Sequence, residues 1–188
     1  ISGSEAAFAR RMNRTAKSLG MTRTTFKNAH GLTEKGHLST ARDMTVLGRH
    51  LMYDFPGYYS MFKRKTTIAT KKVRNTNRKF LAAYKGADGI KTGYTRKAGF
   101  NLVASAERNG KRVIATVFGG KSTRTRNIQV AKLLDLGFER TLENVELIPP
   151  MRLFQETTKD QPNNIIVVKS LRPKIRTDSE SNNILLAM

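Results

Sequence analysis

Cysteine is absent from the 188 residues, which excludes disulfide staples and every thiolate metal site, and which permits an exported location without requiring one. Histidine is scarce, at three residues, and no His and carboxylate cluster has the spacing of a metal centre, so neither a metal nor another cofactor is called for. Acidic residues are also few: 14 Asp and Glu stand against 35 Lys and Arg, a net charge of +21. That imbalance draws polyanions toward any fold, and nucleic acid, anionic phospholipid and acidic cell-wall polymers all qualify. Distribution argues against nucleic acid. The cations are spread along the chain, with short clusters at Lys63-Arg64-Lys65 and Lys71-Lys72-Val73-Arg74, and there is neither a zinc-finger spacing nor an aromatic-rich RNA-binding signature. No apolar run reaches the roughly 18 residues of a membrane-spanning helix, although the cationic surface suits peripheral association with an anionic membrane face. An initiator methionine is missing, and Ile1 opens almost directly into a helical pattern. The first residue is therefore read as a cut end, with an upstream segment and any signal peptide before it.

What the chain does have is enough apolar material for a core: 38% of residues are hydrophobic and nine are Phe, which fits one packed domain with an appendage. Ser2-Gly3-Ser4-Glu5 offers hydroxyl caps and an S-x-x-E box, after which Phe8, Met12, Ala16 and Leu19 recur at helical spacing until Gly20. A second helix is expected from Ser39-Thr40, with Asp43 as capping partner, a stripe of Met44, Leu47 and Leu51, and a stop at Pro56. Thr66 to Ala69 reads as a short strand, followed by a basic stretch into Asn75-Thr76-Asn77-Arg78. After Gly89 the pattern is sheet: a strand from Asn101 to Glu107, a turn at Arg108-Asn109-Gly110 and a return from Lys111 to Phe118. Both strands are apolar on more than one face, which predicts helices covering the sheet on both sides. Thr123 to Leu136 reads as a third helix with Ile128, Ala131 and Leu134 inward and Gly137 as its C-terminal cap. Beyond Arg140 the pattern changes. Pro149-Pro150, the run Ile165-Ile166-Val167-Val168 and the polar Ser179 to Asn183 stretch divide the chain into a domain at 1–140 and a partly strand-like extension at 141–188.

Lys91-Thr92-Gly93, within Gly89-Ile90-Lys91-Thr92-Gly93-Tyr94-Thr95, places a cation, a hydroxyl and a backbone without side chain at successive positions of an expected strand. That set suits a site that grips a peptide's terminal carboxylate, since charge and hydroxyl meet the anion while glycine lets a substrate backbone lie close. The tripeptide alone would serve equally as an exposed lysine entering a tight turn, so its context decides. Strict alternation along a strand turns Lys91 and Thr92 to opposite faces. Both can serve one site only if the strand is an edge bordering a cleft, and that edge is expected here.

The context is a set of spaced segments. Asn28-Ala29-His30-Gly31-Leu32, Ser39-Thr40-Ala41-Arg42-Asp43-Met44, Asp88-Gly89-Ile90-Lys91-Thr92-Gly93-Tyr94-Thr95 and Ala98-Gly99-Phe100-Asn101-Leu102-Val103-Ala104-Ser105-Ala106 together resemble the later part of the catalytic domain of serine D-alanyl-D-alanine carboxypeptidases, the low-molecular-mass penicillin-binding proteins, over about residues 1 to 140. The resemblance implies an α/β (α+β) fold of the β-lactamase/transpeptidase kind: a mostly antiparallel sheet flanked by helices, present here as an incomplete half. It also implies three motifs in chain order: a nucleophilic serine in S-x-x-K, then S-x-N, then the Lys-Thr-Gly strand. Ser60-Met61-Phe62-Lys63 and Ser181-Asn182-Asn183 spell the first two, but the former falls in a structural segment and the latter downstream of Lys91, so both are decoys. The true pair is expected before Ile1, and the N-terminal half of the same protein is the expected companion.

Carried over by position, the resemblance makes Lys91 the catalytic cation, Thr92 a hydrogen-bonding partner of the substrate carboxylate, and Gly93 and Tyr94 the residues that pair with the peptide as an added strand. The Tyr94 N–H would be one oxyanion donor. Arg126 matches, in its distance from Lys91, a family arginine near the terminal carboxylate, and Arg78 falls where relatives place a residue beside the cleft. His30 and His37 are read as holding backbone rather than as bases. The implied reaction is removal of the terminal D-alanine from peptidoglycan stem peptides through an acyl-enzyme, with β-lactam antibiotics as further ligands and a periplasmic or other extracytoplasmic location, peripheral on the inner membrane. Two other readings stay open: a non-catalytic relative that binds cell-wall peptides, and a basic polyanion-binding protein.

Overall fold

The structure, a computed structural model, describes residues 2–68, 70–141 and 148–151. Helix α1 (Glu5–Ser18) starts at Ser4, whose side-chain oxygen accepts from the Ala7 N–H at 3.1 Å. Ser4 rather than Ser2 is thus the cap. Glu5 is left free to reach across to the loop, where its carboxylate accepts from the Ala29 N–H at 3.2 Å. Helix α2 (Ala41–Asp54) is capped by Thr40, whose hydroxyl accepts from the Asp43 N–H at 3.1 Å. Asp43 is thus the capping partner through its N–H, and its carboxylate has a further role that the sequence does not show. That carboxylate accepts from the Thr24 hydroxyl at 2.6 Å and the Arg23 N–H at 2.9 Å, pinning the loop before α2 to the helix from a fully buried position. The Thr24 hydrogen bond outweighs the opposing effect of burial, so the carboxyl pKa is lowered.

After α2 come a short helix α3 (Pro56–Tyr59), a 3-10 turn (Ser60–Lys63) and a hairpin of β1 (Thr66–Ile68) with β2 (Lys72–Arg74), followed by α4 (Arg78–Ala83). The Ser60 to Lys63 decoy therefore lies on an exposed-edge 3-10 turn. β1 lies within the expected strand, whereas β2 and α4 were not anticipated. Both strands of the hairpin are exposed at every position, so no apolar alternation marks them in the sequence, and a six-residue helix is too short for its period to register.

Strands β3 (Ala87–Thr95), β4 (Gly99–Arg108) and β5 (Lys111–Gly120) form an antiparallel sheet in the order β3-β4-β5. The β4–β5 turn is the expected Asn-Gly pair, with positive φ at both Asn109 and Gly110. Five successive residues of β4, Leu102 to Ala106, are buried, as a sheet with two covered faces requires. Leu102, Ala104 and Ala106 join Phe80, Val130 and Leu134 in one core, against helix α5 (Thr123–Arg140). Val103 joins Ile90 and Tyr59 on the side of α2, with Met44 and Leu51 around them.

Two expectations for α5 are corrected. Gly137 does not end the helix, which continues to Arg140. A Cβ at Gly137 would lie 2.5 Å from Val113 Cγ1, so this glycine permits close approach of helix to sheet rather than a change of direction. Ile128 is 48% exposed, and the inward stripe is Arg126, Val130 and Leu134; residue 128 stands about 200° around the helix from either of the first two. The extension expected at 141–188, with its strand at Ile165 to Val168 and its Ser181 to Asn183 decoy, lies outside the described residues apart from Thr141 and 148–151.

Asp43→Asn should destabilise the fold at neutral pH. A carboxyl whose folded pKa is depressed contributes above its unfolded value, about 3.9, and loses that contribution as pH falls through the folded value. The stability gap between wild type and Asp43→Asn, read by urea denaturation, should therefore be full at pH 7 and narrow below about pH 4. A gap that stays constant with pH would refute the assigned role.

Candidate functional site

Strand β3 pairs only with β4 among the described residues, so it is an edge of its sheet, in agreement with the geometry its motif demands. Its start is held by a polar node that spans all three strands. The Asp88 carboxylate accepts from the Ser105 hydroxyl of β4 at 2.8 Å, from the Arg112 guanidinium of β5, and more distantly from the Tyr59 hydroxyl at 3.4 Å. Arg112 also donates to Glu107 and lies over the Tyr59 ring. Burial works against the Arg112 charge, but hydrogen bonding and attraction from Asp88, with Glu107 adding to it, raise its pKa. Burial also pushes the Tyr59 phenol up to about 12, so it stays a neutral donor. Gly89 is required beside this node: a Cβ there would fall 2.7 Å from the Tyr59 hydroxyl.

Three residues after Asp88, Lys91 is exposed, and its Nζ donates to the Thr92 carbonyl at 2.7 Å. The Thr92 hydroxyl lies 2.5 Å from that of Thr76. Thr76 was missed in the sequence, and its neighbours explain its position. Asn75 donates to the carbonyls of Arg64, at 2.9 Å, and Phe62, at 3.3 Å, while its Oδ1 accepts from the Asn77 N–H at 2.8 Å. Buried Asn77 donates in turn to the Gly89 carbonyl at 3.3 Å. The flanking asparagines thus fasten the segment to the root of the hairpin on one side and to β3 on the other, with Thr76 between them. An Asn-x-Asn pattern just before a helix is the signal that could have found it.

Gly93 is half of a pair with Asn101 on β4. A Cβ on Gly93 would meet nothing nearer than Asn101 Cβ at 4.0 Å, and its φ is not positive. Neither packing nor backbone conformation within the described residues calls for glycine there. Tyr94 is 58% exposed and packs its ring on Phe100, with centroids 4.3 Å apart. Beyond it an open groove of about 790 Å³ runs between the end of β3 and the loop from Gly31 to Leu38, tied at one point by the Thr33 hydroxyl donating to Thr95 at 3.1 Å. Gly93, Tyr94 and Asn101 line this groove, whereas Lys91, Thr92, Arg78 and Arg126 do not.

Arg126, in the first turns of α5, reaches the same strand pair at Asn101. It is 4% exposed, donates to the Asn101 carbonyl at 3.3 Å and to Asn127 Oδ1 at 2.7 and 3.1 Å, and forms no ion pair with any carboxylate of the described residues. Burial lowers its pKa, yet a guanidinium keeps its proton at neutral pH. A buried cation one strand pair from Gly93 is thus left without a counter-charge. Arg78 is placed differently: half-buried at the start of α4, it donates to the Asn75 carbonyl at 3.4 Å, so it is Thr76 that touches β3 in this segment. His30 and His37 hold backbone, with Nδ1 atoms that accept from the N–H groups of Leu32 and Lys27, each at 3.2 Å.

Comparison with known proteins assigns the family. The family model for D-alanyl-D-alanine carboxypeptidase matches residues 1–122, and the chain belongs to that family. It is 40% identical over 185 residues to the D-alanyl-D-alanine carboxypeptidase DacF of Bacillus subtilis, covering 90% of this chain and 47% of the relative. Against DacC of Escherichia coli it is 44% identical over 156 residues, 82% of this chain and 38% of that one. Among solved structures, penicillin-binding protein D2 of Listeria monocytogenes in its ampicillin-bound form superimposes with a TM-score of 0.66 at 36% identity, over 71% of this chain and 56% of that protein. The chain spans under half the length of either curated relative. The mixed helix and antiparallel-sheet architecture is that of this family, as its motifs imply.

The Thr76 and Thr92 hydroxyls should be energetically coupled. In a double-mutant cycle with Thr76→Val and Thr92→Val, unfolding measurements should give a coupling of about 0.5–1.5 kcal/mol, toward the lower end because the pair is only partly shielded from water. Strict additivity would show that the contact carries no energy.

Proposed function

We propose that this chain supplies the substrate-gripping half of a serine-type D-Ala-D-Ala carboxypeptidase, and that the nucleophilic serine and the S-x-N segment stand upstream of Ile1. One observation carries the reading: among the described residues, buried Arg126 has no counter-charge and sits one strand pair from Gly93, whose missing side chain serves no packing purpose. A buried cation that meets only neutral acceptors at Asn101, across the ladder from Gly93, supports a reading in which an extended peptide ends in a carboxylate there. Residues 1–140 carry the catalytic part and 141–188 an extension.

In this reading the peptide lies along β3 as an added strand, pairing at Gly93 and Tyr94, while Thr92 and Arg126 receive its terminal carboxylate and Arg78 borders the cleft. The upstream serine oxygen bonds to the carbonyl carbon between the two D-alanines, the carbon–nitrogen bond breaks, and the departing D-alanine amine takes a proton. Lys91 biases that proton transfer through its charge, and the Tyr94 N–H is one donor to the oxyanion. Water then hydrolyses the ester. The substrate is the stem peptide of peptidoglycan. A β-lactam acylates the same serine, in keeping with the ampicillin-bound relative. Such a substrate places the protein outside the cytoplasm; no helix among the described residues is long and apolar enough to cross a membrane.

Labelling with a fluorescent penicillin tests this. The chain joined to its upstream segment should be labelled and the 188-residue chain alone should not. Gly93→Val in the joined protein should leave stability within about 0.5 kcal/mol, as expected for a substitution into open space, while cutting the labelling rate at least about tenfold through steric exclusion along β3. Absence of label on the joined wild-type protein, or a Gly93→Val variant labelled at the full rate, would overturn the assignment.

A further inference from the structure

The β1–β2 hairpin has no part in the cleft described above, and its composition is unlike the rest of the fold. Lys63, Arg64, Lys65, Lys71, Lys72 and Arg74 are all exposed, and none of these side chains forms an ion pair or a ring contact among the described residues. No acidic residue occurs between Asp54 and Asp88. The patch is therefore uncompensated positive charge.

It is also apolar at its end. Ile68, the last residue of β1, is 84% exposed, and Val73 of β2 is exposed as well. The pairing sets Ile68 opposite Lys72 and Thr66 opposite Arg74, and directly opposed residues share a face of the ribbon. One face thus carries an exposed aliphatic side chain with two cations beside it, and Lys71 lies in the connection. A two-stranded hairpin that buries nothing is marginal by itself. This one is held at its root, where the Asn75 N–H donates to the Lys65 carbonyl at 2.9 Å and the Asn75 side chain donates to Arg64 and Phe62. A fixed root and an exposed aliphatic end make a projecting element.

We propose that this hairpin is a membrane-contact element that docks on an anionic phospholipid surface. Its cations meet headgroup phosphates and Ile68 enters the interfacial region, while the aliphatic stems of Lys72 and Arg74 lie along the apolar boundary with their charged ends in the headgroups. Nucleic acid fits less well. No aromatic residue lies between Phe62 and Phe80 to stack on bases, and an exposed isoleucine gains nothing from a polyphosphate backbone, whereas it gains from an apolar medium. The inference is independent of the catalytic reading, since partition onto vesicles needs no serine.

Co-sedimentation of the full chain with vesicles tests it. Phosphatidylcholine vesicles containing about one-third phosphatidylglycerol should bind the chain at physiological salt and release it at high salt, and pure phosphatidylcholine vesicles should not bind it. Removing four hairpin cations together (Lys65→Gln, Lys71→Gln, Lys72→Gln, Arg74→Gln) should weaken partition on the order of a hundredfold or more, at about fivefold for each charge near the surface. Ile68→Ser, which leaves the charge unchanged, should weaken it about tenfold through lost apolar burial. Four exposed cations of α1 (Arg10→Gln, Arg11→Gln, Arg14→Gln, Lys17→Gln) remove the same charge elsewhere and should cost far less. An equal loss from the α1 set would replace the hairpin with general attraction by net charge. An Ile68→Ser chain that binds as wild type and is displaced by soluble polyphosphate would point to a polymer instead, and either result, or no binding to anionic vesicles, would overturn the proposal.

Discussion

The candidate site depends on the polar node that fastens the start of β3 to the two strands behind it. An edge strand has hydrogen-bonding partners on one side only, and its position relative to a cleft is otherwise set by a single ladder. Here Asp88, Ser105 and Arg112 tie β3, β4 and β5 together three residues before Lys91. The charges are partly shielded from water, which strengthens their attraction, and each is compensated: Asp88 by Arg112, and Arg112 further by Glu107. Tyr59 brings the segment after α2 into the same node, so the helical layer and the sheet edge are positioned by one set of contacts.

Against this satisfied node stand groups that the fold leaves unsatisfied. Arg126 is buried without a carboxylate partner among the described residues, and Gly93 omits a side chain that those residues would accommodate. Arg112 is compensated twice over, whereas Arg126 meets only neutral acceptors among the described residues, and burying a charge without a counter-ion is costly, which is why the proposed reading gives it a ligand. The Thr76 hydroxyl against Thr92 restricts the side chain that the proposed reading sets against the substrate carboxylate.

Much of this was legible in the residues. The Lys91 strand, its edge position, the hairpin through Asn109-Gly110 and the doubly covered β4 each follow from a local pattern: a motif, a turn pair, a run of apolar residues. Arg126 was singled out because its distance from Lys91 matches a family arginine; its burial was not visible in the sequence. The hidden parts depend on tertiary contacts. Thr76 gains meaning only because the flanking asparagines bring it to β3, and Arg78, a more conspicuous residue in the sequence, turns to local backbone instead. Gly137 looked like a stop signal but marks a close approach to Val113, a distinction no single sequence makes. Asp43 is the capping partner that its place three residues after Thr40 suggests, but only the fold shows that its carboxylate also secures a loop twenty residues earlier in the chain.

Release of free D-alanine from a peptide ending in D-Ala-D-Ala is the most direct measurement of the central claim, made on the chain joined to its upstream segment with wild-type Lys91 and with Lys91→Ala. If β3 presents its cation to the reacting group, the wild type releases D-alanine and the variant loses about a hundredfold or more in rate while keeping its unfolding midpoint. Equal rates from the two proteins would contradict the account, because they would show that the edge of β3 carries no charge that the reaction uses.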